Sequence, residues 1–258
     1  MNELIEKIKV ILKKGNIANF QQEARWIAGE SASAAEALDR AAERASGVPL
    51  QYILGTAPFR DLMLKVDPRV LIPRPETELL AQWLIDRAPQ GGKVLDLGCG
   101  SGAIAIAVAS ERPDLQVTAA DISPDALELA AGNAESYKVK NLSFIRSDLF
   151  SALNGCRFDL IGANLPYVTE DEYPDLPAEV RDFEPKLALT APDRGLALIL
   201  KTIRELPTHL NPRGGAIFEL SPEQAPETVA ALKSAGLTGG IIRDLCGRDR
   251  FVAGILEK

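Results

Sequence analysis

A glycine-rich turn that follows an apolar, strand-like run is the feature that most constrains the fold of this chain. The run is Val94-Leu-Asp-Leu97, the turn is Gly98-Cys-Gly-Ser-Gly102, and an alanine- and isoleucine-rich stretch of helical length comes next. Glycines in such a turn allow positive φ angles and let a ligand approach the backbone closely. In α/β sheets, ligands bind where strand ends face one crevice. The segment therefore predicts an α/β fold with a ligand site at this turn.

From residue 93 onward, short apolar runs alternate with segments of helical periodicity. We expect seven strands, at residues 94–97, 116–120, 142–146, 159–163, 215–220, 240–244 and 250–256. We expect helices between them, notably at residues 103–110, 124–136, 194–205 and 226–235. Repeated strand–helix units indicate a mainly parallel sheet that is covered on both faces. Only a short loop around Cys246-Gly-Arg248 joins the last two strands, so the final strand should run antiparallel to its neighbours.

The first 72 residues have a different pattern. We expect three amphipathic helices at residues 2–14, 19–29 and 34–45, the second of which buries Phe20 and Trp26. Tyr52-Ile-Leu54 and Leu62-Met-Leu-Lys-Val66 predict the two strands of a β-hairpin. We therefore divide the chain into residues 1–72, a small N-terminal helical domain with a β-hairpin linker, and residues 73–258, the sheet domain. Seven strands with a terminal antiparallel hairpin are typical of the Rossmann-like class I methyltransferase fold rather than of a dinucleotide dehydrogenase.

Charge, cysteine content and histidine content argue against several classes of protein. The net charge of −7 disfavours non-specific binding to nucleic acid, which depends on clustered lysine and arginine. Cys99, Cys156 and Cys246 are widely spaced, so we expect neither a metal site nor a disulfide framework. His209, the only histidine, falls in a predicted loop, which argues against catalysis or metal binding by histidine. No stretch reaches membrane-spanning length, and we expect a cytoplasmic protein.

Acidic residues follow the next two strands beyond the turn. The turn has the spacing G-x-G-x-G, which is tighter than the dinucleotide fingerprint G-x-G-x-x-G. Asp121 can accept both hydroxyls of a ribose, and Asp148 can accept a hydrogen bond from an adenine amino group, with Leu149 over the ring. This pattern favours S-adenosylmethionine as cofactor, with S-adenosylhomocysteine as product, over a tight turn with two ordinary loop acids. The predicted cofactor-binding residues are Gly98, Cys99, Gly100, Ser101, Gly102, Asp121, Asp148, Leu149 and Asn164.

A polar tetrapeptide, Asn164-Leu-Pro-Tyr167, ends the predicted fourth strand beside the same crevice. It resembles the Asn-Pro-Pro-Tyr motif of adenine-N6 DNA methyltransferases and of enzymes that methylate a glutamine in peptide chain release factors. Other segments resemble the second group, the peptide chain release factor N5-glutamine methyltransferase family, across essentially the whole chain. They are Gly47-Val-Pro-Leu-Gln-Tyr-Ile53, Phe59, Leu71-Ile-Pro-Arg-Pro-Glu-Thr-Glu78, Phe183-Glu-Pro185, Glu219, Gln224 and Asp244-Leu-Cys-Gly-Arg-Asp-Arg250. The Pro-Arg-Pro-Glu-Thr-Glu part distinguishes this family from the DNA methyltransferases.

The resemblance implies an activity and a partner. Enzymes of this family transfer a methyl group from S-adenosylmethionine to the side-chain nitrogen N5 of the glutamine in the Gly-Gly-Gln motif of class 1 release factors. Residues 1–72 would dock that protein substrate, without direct nucleic-acid readout or membrane contact, and nothing in the sequence requires more than a monomer. The alternatives are an adenine-N6 nucleic-acid methyltransferase and a non-catalytic cofactor-binding scaffold. The acidic charge counts against the first, and the intact motifs count against the second.

The resemblance also implies roles within the tetrapeptide. Asn164 offers a side-chain oxygen and Leu165 a backbone carbonyl, two acceptors that would orient the two N–H groups of a substrate amide. Pro166 has no competing N–H, and Tyr167 would lie against the flat amide. The predicted catalytic residues are therefore Asn164 and Tyr167, and all four residues are predicted to bind substrate. Leu165 departs from the commoner proline, which keeps the carbonyl but puts the rigidity of the loop in doubt.

Three charged residues outside the tetrapeptide are open to more than one interpretation. Arg74 and Glu76 either line the mouth of the site or pair with each other at the start of the helix near Thr77. Glu219 ends a predicted strand, and we interpret it as structural.

Overall fold

Short helices and a hairpin precede the main sheet in the computed structural model, which describes residues 1–257. They are α1 (Asn2–Lys14), α2 (Phe20–Glu30), α3 (Ala34–Ala45), α4 (Leu50–Leu54), β1 (Thr56–Phe59) and β2 (Leu62–Lys65). The prediction of a strand at residues 52–54 is wrong, because these residues belong to α4. Gly55 then adopts a left-handed conformation, with φ of 73°, and turns the chain into the antiparallel pair of β1 and β2.

The N-terminal helices pack around their own apolar core, which includes Ile8, Leu12 and Ile27. The prediction that Trp26 is buried is wrong, because 49% of its surface is exposed. The buried face of α2 consists of Glu23, Ala24, Ile27 and Ala28, and the helical period of about 100° per residue places Trp26 to one side of that face. Gly15 is the C-cap residue of α1, which ends at Lys14 as predicted. A Cβ there would lie only 2.6 Å from Cα of Ala45, so glycine permits α1 to approach α3.

The rest of the described chain alternates strands with helices. Its elements are α5 (Glu78–Arg87), β3 (Lys93–Leu97), α6 (Ala103–Glu111), β4 (Gln116–Asp121), α7 (Pro124–Ser136), β5 (Leu142–Arg146), β6 (Phe158–Ala163), α8 (Ala178–Arg181), α9 (Ala197–His209), β7 (Leu210–Glu219), α10 (Ala225–Ser234), β8 (Leu237–Arg243) and β9 (Asp249–Leu256). The seven strands β3–β9 form one sheet in the order β5-β4-β3-β6-β7-β9-β8. β9 runs antiparallel to both of its neighbours, β7 and β8, while the other neighbouring pairs are parallel, which confirms the predicted α/β fold.

This strand order places a crevice at the centre of the sheet. The chain leaves β3 toward β4 on one side and returns to β6 on the other, so the carboxyl ends of β3 and β6 lie side by side. Such a switch point is where open α/β sheets bind ligands. Helix α6 starts there and is buried from Ala103 to Ala109, because it packs between the sheet and α5. The turn before α6 is therefore held by a fully packed helix.

Two predicted boundaries around α9 are wrong. The helix begins at Ala197 rather than at Arg194, because Asp193, Arg194 and the glycine after them have positive φ angles that an α-helix does not allow. It also continues to His209, which was predicted to lie in a loop. The His209 ring is buried and stacks on Phe150, with ring centroids 4.2 Å apart. The strand β7 then begins directly, at Leu210.

An ion pair joins the N-terminal helices to the sheet domain. The Arg44 guanidinium bonds Glu23 within its own bundle at 2.7 Å and Glu179 of α8 at 2.8 Å. Within the first 72 residues, the Tyr52 hydroxyl donates to the carbonyl oxygen of Val70 at 2.6 Å and so ties α4 to the segment that leads into the sheet domain. The division of the chain between residues 72 and 73 stays a prediction. None of the helices within residues 1–257 combines the length and the apolar character needed to cross a bilayer.

Candidate active site

A cavity of about 480 Å³ opens at the carboxyl edge of the sheet. Its walls come from the turn after β3 and from the residues that follow β4, β5 and β6. Its rim comes from two segments that lie outside the sheet, residues 68–77 and residues 185–188. The volume falls within the range typical of sites for small organic ligands, about 300–1,000 Å³. The cavity therefore joins the two sequence motifs in one space.

The glycine turn forms one wall of this cavity. Gly98 and Gly100 have φ angles of 78° and 52°, which other residues rarely adopt. A Cβ on Gly100 would meet nothing within 4 Å, so its backbone borders open space. Cys99 and Ser101 also line the cavity, and burial raises the pKa of the Cys99 thiol well above its ordinary value. Gly102 lies outside the lining and packs against α7 instead.

Asp121 ties the turn to the next strand. Its Oδ2 accepts a hydrogen bond from the Gly100 N–H, and its Oδ1 accepts one from the Ser123 N–H, both at 2.9 Å. A carboxylate has about four lone-pair positions, so each oxygen keeps capacity for a further donor. Asp121 also lines the cavity. Its side chain therefore fixes the loop geometry and presents acceptor oxygens to a ligand at the same time.

Asp148 and Leu149 line the next part of the wall, after β5. The Asp148 side chain is exposed, and its Oδ1 lies 3.6 Å from Nζ of Lys201. Leu149 is buried and has a φ of 50°, which turns the chain sharply at this point. The pair offers a carboxylate beside an apolar surface, which suits a flat heterocycle that carries a donor group.

The tetrapeptide after β6 forms the opposite wall, to which Asn164, Leu165 and Pro166 contribute. The Asn164 Nδ2 donates a hydrogen bond to Oγ1 of Thr77 at 3.2 Å. The Leu165 side chain is buried, and its Cδ2 lies 3.0 Å from where a Cβ on Gly98 would be. The two predicted motifs are thus in direct contact, and the absence of a side chain on Gly98 permits that contact.

Tyr167 is placed differently from the other three residues, because it lies outside the cavity lining. Its backbone carbonyl accepts a hydrogen bond from Nε2 of Gln224 at 2.8 Å. Burial raises the pKa of its phenol to about 12, and the nearby Glu219 adds to the rise while Arg250 opposes it. Tyr167 is therefore a neutral, partly buried residue that anchors the end of the tetrapeptide.

Comparisons with known proteins identify the family of this chain. The family described as "Methyltransferase small domain" matches residues 75–177. The release factor glutamine methyltransferase of Lactococcus lactis is 42% identical over 209 residues, which are 80% of this chain and 76% of that protein. The protein of the same name from Vibrio cholerae is 42% identical over 216 residues, which are 83% and 75% of the two chains. The chain belongs to the release factor glutamine methyltransferase family.

A solved structure shows the same fold in a more distant protein. A 16S rRNA methyltransferase from T. thermophilus, determined in complex with AdoMet and guanosine, superimposes with a TM-score of 0.54. The match covers 79% of this chain and 49% of that one, at 17% sequence identity. At this identity the likeness concerns the fold alone.

Arg74 and Glu76 have separate partners in this family member. The Arg74 guanidinium donates to Oε1 of Glu184 at 2.5 Å, and Glu76 lies 3.3 Å from Arg248. The interpretation that Arg74 and Glu76 pair with each other is therefore wrong. Glu184 is buried, and its Oε2 also accepts the Ile72 N–H at 3.0 Å. It thus fastens one rim segment of the cavity to the other.

Sequence reasoning missed two residues that support the site, Thr77 and Glu184. Thr77 lies between Asn164 and Glu219, because its Oγ1 accepts from Asn164 and donates to Oε2 of Glu219 at 2.7 Å. Both residues belong to segments that carried the family resemblance, namely the Pro-Arg-Pro-Glu-Thr-Glu and Phe-Glu-Pro segments. The available signal was a polar residue in a proline-rich stretch, which does not say where its partner is.

Glu219 ends β7 behind Asn164 and is 2% exposed. Burial is the largest influence on its carboxyl group and raises its pKa to about 7, while the Thr77 hydrogen bond and Arg250 act in the opposite direction.

Within residues 1–257, no group of three or more His, Cys, Asp or Glu side chains could hold a metal ion.

Proposed function

We propose that this chain transfers the methyl group of S-adenosylmethionine to the side-chain nitrogen of the glutamine in the Gly-Gly-Gln motif of class 1 peptide chain release factors. Family membership supports the proposal, since the Lactococcus lactis and Vibrio cholerae relatives bear the name release factor glutamine methyltransferase. The single observation that carries it is the shared cavity, which the glycine turn and the Asn164 tetrapeptide line from opposite sides. The proposed substrate acts in translation, so we also propose a cytoplasmic location.

The residues on the cofactor side fit S-adenosylmethionine. Open space beside Gly100 leaves room for a ligand against the backbone, and Asp121 keeps acceptor positions for ribose hydroxyls. Asp148 and Leu149 offer an acceptor and an apolar surface to adenine. Cys99 and Ser101 would complete the wall, whereas Gly102 would act through the packing of α6. When bound, the cofactor supplies a methyl group that is activated by its sulfonium charge.

The residues on the acceptor side suit an amide nitrogen. Such a nitrogen is a poor nucleophile because its lone pair is delocalised into the carbonyl group. The Asn164 Oδ1 and the carbonyl oxygen of Leu165 would each accept one N–H of the substrate amide, which orients it and stabilises the positive charge that develops there. Pro166 adds no competing donor. Acceleration would come mainly from alignment, and the product amide can release its proton to water.

Tyr167 takes a different part in this proposal from the one that the resemblance implies. Because it lies outside the cavity lining, we assign it to holding the tetrapeptide rather than to covering the substrate amide. The bond from Gln224 to its carbonyl oxygen fixes the residue directly after Pro166. Tyr167 would therefore support the position of the Leu165 carbonyl.

The experiment that tests the proposal is a comparison of three acceptors with labelled S-adenosylmethionine. They are a class 1 release factor, the same factor with its Gly-Gly-Gln glutamine replaced by alanine, and an adenine-containing DNA duplex. We expect label only on the unaltered factor, and far less of it when Asn164→Ala replaces the wild-type enzyme. Label on the duplex would support the adenine-N6 alternative, and label on neither acceptor would support a non-catalytic scaffold.

A further inference from the structure

We infer that Thr77 and Glu219 are positioning residues that hold the Asn164 side chain with its oxygen, and not its NH2 group, toward the cavity. The inference rests on the proposed function and deepens it. It gives the Pro-Arg-Pro-Glu-Thr-Glu segment a part in methyl transfer. It also gives Glu219, which the sequence suggested only as a structural residue, a defined chemical task.

An asparagine side chain needs such a device because its two ends have nearly the same shape and opposite hydrogen-bonding character. The carbonyl oxygen accepts, whereas the NH2 group donates. The nitrogen of a substrate amide presents only N–H donors, so the NH2 end of Asn164 would repel it. A rotation of about 180° around the last side-chain bond would exchange the ends, and that torsion is soft. Something in the protein must therefore favour one orientation.

The hydrogen bonds around Thr77 determine which end of the Asn164 side chain faces the cavity. An ionised carboxylate can only accept, so the single hydroxyl proton of Thr77 must point to Oε2 of Glu219, 2.7 Å away. The Thr77 oxygen then has only lone pairs left for Asn164, 3.2 Å away on its other side. It must accept from the Asn164 NH2 group. The Asn164 oxygen is consequently the end that faces the cavity.

Burial makes this chain of bonds selective. Thr77 is 5% exposed and Glu219 is 2% exposed, so water cannot readily take the place of either partner. An unpaired polar atom in such surroundings is costly, which penalises the reversed orientation of Asn164. Besides Thr77, four titratable side chains lie near Glu219: Arg250 on β9, Arg74 and Glu76 on the proline-rich segment, and Tyr167 after β6.

Protonation of Glu219 would remove the preference for one orientation of the Asn164 side chain. A protonated carboxyl group can donate to Thr77, and the Thr77 hydroxyl can then turn its proton to the Asn164 oxygen. The amide would present its NH2 group to the cavity. Burial raises the pKa of Glu219 to about 7, so the ionised, productive state is present above that pH and is lost as the pH falls through it. The rate of methyl transfer should therefore also fall as the pH is lowered through this value.

The first test compares Thr77→Val with Thr77→Ser in single-turnover methylation of a class 1 release factor. Valine keeps the shape of threonine and removes the hydroxyl, so we expect a rate about tenfold lower, the effect of losing one orienting hydrogen bond. Affinity for S-adenosylmethionine, measured by calorimetry, and KM for the release factor should not change. Serine keeps the hydroxyl and should stay within about threefold of wild type. Equal rates for valine and serine would overturn the inference.

The second test uses Glu219→Gln, which keeps the shape of the side chain and removes its titration. Between pH 8 and pH 6, the wild-type rate should fall about tenfold, in proportion to the ionised fraction of Glu219. The variant should be slower than wild type at pH 8 and should lack this fall, because its amide can face Thr77 in either orientation. A variant that retains the wild-type pH profile would contradict the role of Glu219.

The orientation itself can be followed without any methylation, through the side-chain NH2 resonances of Asn164. We expect one hydrogen-bonded proton signal in the wild type at pH 8, which shifts at pH 6 and in Thr77→Val but not in Thr77→Ser. Unchanged resonances in Thr77→Val would overturn the inference even if methylation proceeds as proposed. Wild-type protein that shows the expected resonances but does not methylate the release factor would contradict the proposed function alone.

Discussion

The two walls of the cavity are built from the chain in different ways. The cofactor wall, made of residues 98–101, Asp121, Asp148 and Leu149, lies within a few residues of the ends of three neighbouring parallel strands. The acceptor wall depends on contacts between distant segments. Asn164 bonds Thr77, 87 residues away, and Thr77 bonds Glu219, 142 residues away.

This difference has a chemical consequence. On the cofactor wall, Asp121 bonds backbone N–H groups, so the geometry is fixed by the fold itself. On the acceptor wall, side chains bond side chains, so single substitutions can change the chemistry without moving the sheet. Variants of the two walls should therefore affect different quantities. Those of the cofactor wall should change cofactor affinity, and those of the acceptor wall should change turnover.

Replacement of Asn164 by alanine should have the largest effect on turnover. We expect a loss of about a hundredfold or more in methylation of release factor, the size associated with removing one preorganised group at a reacting centre. Affinity for S-adenosylmethionine should stay within several-fold of wild type. Single-turnover kinetics and calorimetry measure the two quantities. Near-normal turnover would mean that the two-acceptor mechanism is wrong.

Replacement of Asp121 by alanine should have the converse effect. We expect cofactor binding to weaken by about 1–3 kcal/mol, because hydrogen bonds between a carboxylate and ribose hydroxyls are lost and the Gly100 loop is released. Asp148→Ala is the matched control on the same wall, and its loss should be smaller because that carboxylate is exposed. Calorimetry with an analogue that lacks the ribose hydroxyls should show a smaller difference between wild type and Asp121→Ala, because only the effect of the released loop remains. Unchanged affinity for the intact cofactor would remove Asp121 from the site.

Glu184→Gln should act on the rim that joins the two walls. Glutamine can still accept the Ile72 N–H, but it cannot form the ion pair with Arg74. We expect KM for the release factor to rise by about three- to tenfold, with cofactor affinity unchanged, because the rim segments of residues 68–77 and 185–188 are less firmly joined. Glu172→Gln is a suitable control, since Glu172 is exposed and bonds only its own loop through Thr169. An equal effect of both variants would contradict a specific role for Glu184.

Substitutions of Leu165 should have the smallest effects, since the proposed contribution of this residue is its carbonyl group. Leu165→Pro should retain activity within several-fold, because proline keeps the carbonyl and restricts the backbone. Leu165→Ala should also remain active but lose some stability, since the side chain is buried against Gly98. Leu165→Gly should lose more activity, because its backbone is freer. Single-turnover rates would rank the variants, and an inactive, folded Leu165→Ala would show that the side chain itself is required.

The sheet could be predicted well from the sequence because its evidence is local. Each strand is an apolar run between helical segments, and the short loop after β8 requires an antiparallel final strand. Two of the wrong predictions also concern short segments of the chain. Residues 52–54 are apolar and too few to distinguish a strand from the helix α4 that they join. The prediction that Trp26 is buried is the other one, since the helical period puts this residue beside the buried face.

The cofactor wall could be predicted from the sequence more completely than the acceptor wall. The cofactor wall follows from glycine spacing and from acids at strand ends. Eight of the nine predicted cofactor-binding residues line the cavity, Gly102 being the exception, and one of the eight, Asn164, belongs to the acceptor wall. The acceptor wall could be predicted only as far as Asn164, Leu165 and Pro166. The Thr77–Glu219 bond joins positions 142 residues apart and leaves no periodic signal. The position of Tyr167 outside the cavity depends on how the loop meets Gln224, which spacing does not reveal.

The measurement that tests the central claim most directly is fragmentation mass spectrometry of a class 1 release factor after reaction with this protein and S-adenosylmethionine. We expect one added methyl group, located on the side-chain nitrogen of the glutamine in the Gly-Gly-Gln motif, and its near-complete loss when Asn164→Ala is used. A methyl group on any other residue, or an unmodified release factor after reaction with folded wild-type protein that binds the cofactor, would contradict it.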